Sequence, residues 1–217
     1  MEIDFPRDYN IENNTVKGKV ILFSPFLIIT INHLVALWSG KIWGAWAYIP
    51  VMLSNWILFA VFIYWGANRE RLKSWLSKPK PFLGWAILAL SMGLLPLPIF
   101  LLGWKLLAPW FIWLPWLFIA LINPWLEEFY WRGLLIDITK GRWGVFYSSV
   151  LFAVNHPLSY GVNSERNNGF TIAIVTFVMG LVWAYTRKHT ESLRWPIVAH
   201  FFVDLISLSA VVFLNLI

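Results

Sequence analysis

The chain has 217 residues, of which 59% are hydrophobic and only 13% are charged, and its formal net charge is +6. Soluble domains are about 45–50% apolar and about 25% charged, so this composition argues against a soluble protein and indicates an integral membrane protein. Because the sequence contains no cysteine, disulfides, thiol nucleophiles and cysteine-ligated zinc are excluded as well.

Seven apolar stretches are candidates for membrane-spanning helices, each of which needs about 20 apolar residues. They predict an all-α, polytopic membrane helix bundle of about seven transmembrane helices, with a range of six to eight. In chain order the stretches are 20–38, 42–65, 82–102, 109–136, 143–156, 169–185 and 195–217. No long polar linker divides them, so we expect one membrane domain. Within it we assign 1–19 to an N-terminal cytoplasmic tail, 20–108 to N-terminal helices and 109–217 to a core that carries the polar motifs.

Prolines and isolated polar residues modify this picture at a few positions. The fourth stretch contains Pro115 and Pro124, so we expect a kink or a break near the second of them. The fifth stretch is short and stops at Pro157, which indicates a helix that ends inside the protein. Asn32 and Asn55, in the first two stretches, are expected to form hydrogen bonds between helices.

Basic residues cluster in the tail and in every second connection between the stretches. By the positive-inside rule, this alternation predicts that the N-terminus and the basic connections are cytoplasmic, in a multi-pass protein of the plasma membrane. The first ten residues are acidic and polar, which argues against a cleaved signal peptide. Basic residues spread over short connections also argue against a nucleic-acid partner. The clusters are Arg7, Lys17 and Lys19; Arg69, Arg71, Lys73, Lys78 and Lys80; Lys140 and Arg142; Arg187, Lys188 and Arg194.

Three short polar patterns lie inside apolar stretches of the second half. An ionised side chain near the bilayer centre costs roughly 2.5–3.5 kcal/mol, so such residues usually face the bundle interior and carry function. The patterns are Glu127 and Glu128 with Arg132, Phe152 with His156, and His200 with Asp204. Together they predict one polar site assembled inside the membrane.

The three patterns reach similar depths when residues are counted from the basic connections. At a rise of about 1.5 Å per residue, Glu127 and His156 lie roughly 15–20 Å from the connection at 140–142. Counted from the next basic turn, His200 lies at about 9 Å and Asp204 at about 15 Å. We therefore expect Glu127, His156 and His200 to converge in a water-accessible cavity below the cytoplasmic surface.

Helical phase separates a structural pair from the groups that remain for chemistry. Glu128 and Arg132 are four residues apart on one helix face, so we expect them to form a buried ion pair that acts mainly through structure. Glu127 is rotated away from Glu128 and is free to address the site. His200 and Asp204 also share one helix face and can act on the same ligand.

Two chemistries remain open for the four groups. In the first, Glu127 and His156 are a general-base pair that activates a water. His200 and Asp204 then polarise a carbonyl and stabilise an oxyanion. In the second, His156 and His200 bind a divalent metal such as zinc together with one carboxylate, Glu127 or Asp204. Both chemistries are hydrolysis by an activated water.

At these residues the chain resembles the CPBP family of CAAX prenyl proteases and bacteriocin-processing intramembrane proteases, also called the Abi family. The family motifs EExxxR, FxxxH and HxxxN/D match the three patterns in order and spacing, within about 109–217. The resemblance implies a polytopic peptidase, named a metalloprotease, whose site opens toward the cytoplasm. It also implies that Glu127 and His156 activate water, and that His200 and its partner stabilise the oxyanion.

Two features depart from the CAAX branch of that family. Asp204 stands where prenyl-protein proteases typically carry Asn. Since an ionised aspartate repels an oxyanion, we expect Asp204 to orient His200, to be protonated or to ligate a metal. The branch has eight helices, one more than the seven stretches found here.

Three classes of function fit these observations, and the sequence favours the first. It is an intramembrane endopeptidase that meets its protein or peptide substrate, such as a prenylated tail or a bacteriocin-type peptide, among membrane lipids. The second is a non-catalytic immunity or scaffold protein on the same fold, which has no need of Glu127. The third is a small transporter or proton-coupled channel, which needs polar residues along a path rather than at one depth.

Overall fold

The computed structural model describes residues 15–139 and 141–216, and every regular element among them is a helix. This confirms the predicted all-α bundle. The helices are α1 Val16–Trp43, α2 Tyr48–Gly66, α3 Arg69–Trp75, α4 Leu83–Leu94, α5 Leu97–Gly103, α6 Trp110–Glu127, α7 Ile136–Thr139, α8 Gly141–Leu158, α9 Phe170–Thr190, α10 Arg194–Ile206 and α11 Ser209–Phe213. A π-helix, Glu128–Leu135, joins α6 to α7.

Four helical segments of the described chain are long and apolar enough to cross a membrane, so the predicted count of seven is not confirmed. The segments are Val16–Gly66, Leu83–Leu107, Trp110–Thr139 and Phe170–Thr190. The first of them folds back on itself, because α1 ends at Trp43 and α2 packs along α1 after a short 3₁₀ turn that begins at Gly44. Gly44 has a φ of +54°, a left-handed value that glycine adopts without a Cβ penalty.

Several helices differ in their bounds from the predicted stretches. The third stretch is two helices, because α4 ends at Leu94 and α5 begins at Leu97, after Pro96. The last stretch is also divided, because α10 ends at Ile206 and Leu208 has a left-handed backbone before α11. The predicted tail lies largely outside the described residues, and α1 begins at Val16, inside its last positions.

Of the kink or break predicted near Pro124, the break does not occur. Helix α6 continues through Pro115 and Pro124, and the irregularity follows them as the eight-residue π-helix Glu128–Leu135. π-Helical turns are rare and are frequently found at functional sites. Gly133 within this π-helix accommodates the Trp75 ring of α3, because a Cβ there would lie 3.0 Å from three ring carbons.

Helix α10 lies at the centre of the helices formed by the second half of the chain. Helix α10 packs against α4 on one side and α6 on the other, while α8 packs along α9. The backbones of α4 and α10 approach closely at Gly93, where a Cβ would lie 2.7 Å from the carbonyl oxygen of Ala199. This contact fixes the depth of the next residue, His200. Many large apolar side chains are exposed on the outside, as expected for a protein surrounded by lipid.

Candidate active site

Glu127, the last residue of α6, is completely buried. Its Oε1 accepts a hydrogen bond of 2.8 Å from the hydroxyl of Tyr160. Its Oε2 lies 3.7 Å from Nε2 of His200 and has no hydrogen-bond partner among the described residues. One carboxylate oxygen is therefore anchored, and the other is oriented toward the histidine.

Glu128, the next residue, connects two groups through a single oxygen. Its Oε1 accepts hydrogen bonds from Nη1 of Arg132 and from Nδ1 of His200, each at 2.9 Å. All three side chains are buried. The guanidinium carbon of Arg132 also lies 3.9 Å from the ring centre of Phe152, a cation–π contact. Glu128 therefore orients His200 in addition to pairing with Arg132.

His200 lies at the junction of three carboxylates. While Glu128 binds its Nδ1, its Nε2 faces Glu127 and also lies 3.8 Å from Oδ2 of Asp204. The ring stacks on Trp183 of α9 with 4.8 Å between centroids. These contacts hold the imidazole in one orientation, with Nε2 toward the two remaining carboxylates.

His156 is close to this group but makes no hydrogen bond to it within the described chain. Its Nδ1 bonds the backbone carbonyl of Phe152 at 2.8 Å. Since a carbonyl only accepts, Nδ1 carries the hydrogen, and in the neutral ring Nε2 keeps its lone pair. The ring contacts Phe152 and Tyr160, with centroid distances of 4.7 and 5.5 Å. The structure thus brings Glu127, His200 and Asp204 together directly and joins His156 through these aromatic rings.

A cavity of about 620 Å³ adjoins the two histidines. His156, Tyr160, His200 and Asp204 line it, and most of its other lining side chains are apolar. Glu127 does not line the cavity and lies behind Tyr160. The two histidines therefore line one cavity, as expected, whereas Glu127 does not line it.

The position of the cavity bears on membrane orientation. Much of its lining comes from α5, from the connection between α8 and α9, and from α11. The connection after α8 bonds the C-terminal parts of α1 and α11, through Asn163 to Ala36 and Ser164 to Val212. The basic connection at 75–80 bonds the one at 190–193 instead. If the basic connections are cytoplasmic, these lining segments lie toward the opposite side.

One comparison with known proteins identifies the second half of the chain. Residues 108–206 match the model of a family described as type II CAAX prenyl endopeptidase Rce1-like. This segment contains Glu127, His156, His200 and Asp204. Over residues 108–206 the chain is similar to the Rce1-like family. The resemblance based on the three motifs is therefore confirmed for this segment, and the match together with the apolar helices supports a peptidase-like membrane protein. No curated protein and no solved structure matches it.

The metal of the second chemistry would be held by His156, His200 and one carboxylate. Nδ1 of each histidine is engaged, by a carbonyl and by Glu128, so each ring keeps Nε2 for a ligand. Nε2 of His200 lies 3.7 and 3.8 Å from carboxylate oxygens of Glu127 and Asp204. No group of three or more His, Asp or Glu side chains in the described residues is arranged to hold a metal ion, and a bound metal stays a prediction.

Two polar residues of the Rce1-like site were missed from the sequence. Tyr160 bonds Glu127, and Asn123 donates from Nδ2 to Oδ2 of Asp204 at 3.1 Å. Asn123 was detectable, because it precedes Glu127 by one helical turn on the same face. Tyr160 follows His156 at the same spacing, but the helix ends between them. The spacing therefore did not predict that the two side chains lie on one face.

Proposed function

We propose that this protein is an intramembrane endopeptidase that cleaves a peptide bond with a water activated by Glu127 and His156. The observation that carries the proposal is the unequal environment of the two Glu127 oxygens. Oε1 is held by Tyr160, while Oε2 is buried, unpartnered among the described residues and 3.7 Å from His200. An oxygen fixed in this way is suited to accept a proton from a water that forms a hydrogen bond to it.

In the proposed reaction, the water loses one proton to Oε2 of Glu127 while its oxygen attacks the carbonyl carbon of the scissile bond. Nε2 of His156 accepts the second hydrogen bond of the water and orients it. The tetrahedral intermediate then collapses, the C–N bond breaks, and the proton held by Glu127 passes to the leaving nitrogen. The products are a carboxylic acid and an amine, so atoms and charges balance.

His200 is proposed to stabilise the oxyanion of that intermediate. Its Nδ1 donates to Glu128, so it can donate from Nε2 only as an imidazolium. Glu127 and Asp204 face that nitrogen and would compensate its charge. Asp204 is therefore assigned to orienting His200, because an ionised aspartate would repel the oxyanion itself.

A hydrolysis assay tests this proposal. We expect the purified protein in liposomes to cleave peptides from a panel of prenylated C-terminal tails, the same tails unmodified, and bacteriocin-type precursors. Mass spectrometry of the products identifies the bond and the substrate class. Because the proposed glutamate mechanism needs no metal, we expect the same rate after dialysis against a zinc chelator.

The outcomes of the assay separate the alternatives. A rate that falls on chelation and returns with zinc would replace the glutamate mechanism by the metal mechanism. A folded protein that cleaves none of the peptides would instead favour the non-catalytic immunity or scaffold role. The apolar cavity favours substrates that present apolar groups to the site, and membrane lipids surround the protein.

We further propose that the basic connections are cytoplasmic, as the positive-inside rule predicts, in the plasma membrane. The chain lacks cysteine, so single cysteines can be labelled without background. Lys78 and Asn168 are both exposed, at opposite ends of the bundle. A membrane-impermeant maleimide added to intact cells should label Asn168→Cys, but should label Lys78→Cys only after lysis. The reverse pattern would invert the orientation and turn the cavity toward the cytoplasm.

A further inference from the structure

A chain of hydrogen bonds reaches Glu127 from the N-terminal helices, which lie outside the Rce1-like segment. Nδ2 of Asn32 in α1 donates to Oδ1 of Asn55 in α2 at 2.7 Å. Nδ2 of Asn55 donates to the hydroxyl of Tyr160, and that hydroxyl donates to Oε1 of Glu127 at 2.8 Å. All four side chains are buried, none more than 5% exposed.

The direction of donation along this chain is determined by the groups in it. An amide nitrogen only donates, so Asn55 must bond the Tyr160 oxygen as a donor. The single hydroxyl proton of Tyr160 is then directed to Glu127. The series therefore ends at the carboxylate as an acceptor and leaves its second oxygen to face His200.

A second series starts from the next residue of the same helix. Nε1 of Trp56 donates to Oδ1 of Asn123 at 3.0 Å, and Nδ2 of Asn123 donates to Asp204 at 3.1 Å. The indole nitrogen only donates, so this series also has one direction. Consecutive residues of α2, Asn55 and Trp56, thus take part in the two hydrogen-bond series that end at two carboxylates of the site.

We infer that α2 is a positioning element of the candidate active site, in which Asn55 and Trp56 set the orientation of the Glu127 and Asp204 carboxylates. The inference rests on the proposed function. A general base must lie within hydrogen-bond reach of its proton, and a displacement of about 1 Å can cost about 10²-fold in rate. A buried carboxylate without the Tyr160 bond would be free to rotate away from the water.

The test uses Tyr160→Phe and Asn55→Leu, each of which removes two hydrogen bonds of the series and keeps most of the packing. We expect kcat to fall by about 10- to 100-fold with KM nearly unchanged, because the carboxylate is misplaced while the cavity keeps its shape. The double variant should be no less active than the less active of the two single variants, because both act through one series. Each variant leaves a buried polar atom without its partner and should lower the thermal midpoint, so kcat is compared at a temperature at which every variant is folded.

Tyr48→Phe is the matched control. Tyr48 is a buried tyrosine of α2 in the same apolar cluster as Tyr160, and its hydroxyl has no partner within the described chain. Removing that hydroxyl should leave kcat unchanged. If Tyr160→Phe retains full kcat while Glu127→Gln is inactive, the inference is overturned and the proposed function stands.

An infrared readout decides the inference independently of any activity. The difference spectrum between the unsubstituted protein and Glu127→Gln identifies the carboxyl band of Glu127. We expect Tyr160→Phe to shift that band and Tyr48→Phe to leave it in place. If Tyr160→Phe does not move the band, the inference is contradicted. If the band shifts but the protein hydrolyses no peptide, Tyr160 does position Glu127 and the proposed function is wrong.

Discussion

Replacing Glu127 by glutamine is expected to lower the rate of peptide hydrolysis by about 10²–10⁴-fold, the usual loss for a general base. Glutamine has the same shape, and its amide oxygen can still accept the hydrogen bond of Tyr160. The amide nitrogen that replaces Oε2 cannot take a proton from water. The variant should therefore fold normally and bind substrate, with the loss confined to kcat.

The measurement compares initial rates and thermal unfolding of the unsubstituted protein, Glu127→Gln and a control. Glu70→Gln is a suitable control, because it makes the same chemical change at an exposed position of α3. His156→Gln tests the second member of the base pair in the same assay. Hydrolysis that continues undiminished in a folded Glu127→Gln protein would remove the proposed mechanism.

Replacing Arg132 by alanine is expected to destabilise the fold by about 3–5 kcal/mol, the cost of leaving a buried charge without its partner. Arg132 is fully buried, pairs with Glu128 and packs on the Phe152 ring. Its loss leaves the Glu128 carboxylate with His200 alone. We expect a lower yield of folded protein, a lower thermal midpoint in detergent and, as a consequence, lower activity.

Lys80→Ala supplies the control for this effect. Lys80 pairs with Glu191, but the two side chains are 52% and 45% exposed, and exposed pairs contribute about 0–1 kcal/mol. The two variants each remove one cation from an ion pair and differ in burial. If Arg132→Ala abolishes activity with unchanged yield and midpoint, Arg132 acts on the substrate and not mainly through structure.

The amino-acid sequence by itself determined the class of protein and the identity of the acidic, arginine and histidine residues that lie in the candidate site. Its apolar composition requires a lipid environment, and ionisable residues in apolar stretches are costly enough to mark a functional cluster. The spacing of Glu128 and Arg132 is a local property, so helical periodicity alone brings these two side chains to one face. The ordered motifs also carried the family resemblance that the match over 108–206 confirms.

Helix boundaries depended on tertiary packing. Pro124 predicted a kink or a break, but α6 continues through it and the chain changes to a π-helix at Glu128. Intrinsic preferences of single residues are weak compared with packing, and the Trp75 ring packs against Gly133 in this π-helix. Similarly, the last apolar stretch is divided at Leu208 although its composition is continuous.

Only the tertiary structure decided how the carboxylates are oriented. Asn55 and Glu127 are far apart in sequence, and neither periodicity nor motif spacing relates them. They are connected because α2 packs against α6 and the π-helix, which places Asn55 beside Tyr160. A buried polar group must find a partner wherever packing offers one, so such partners follow from the assembled bundle and not from local sequence.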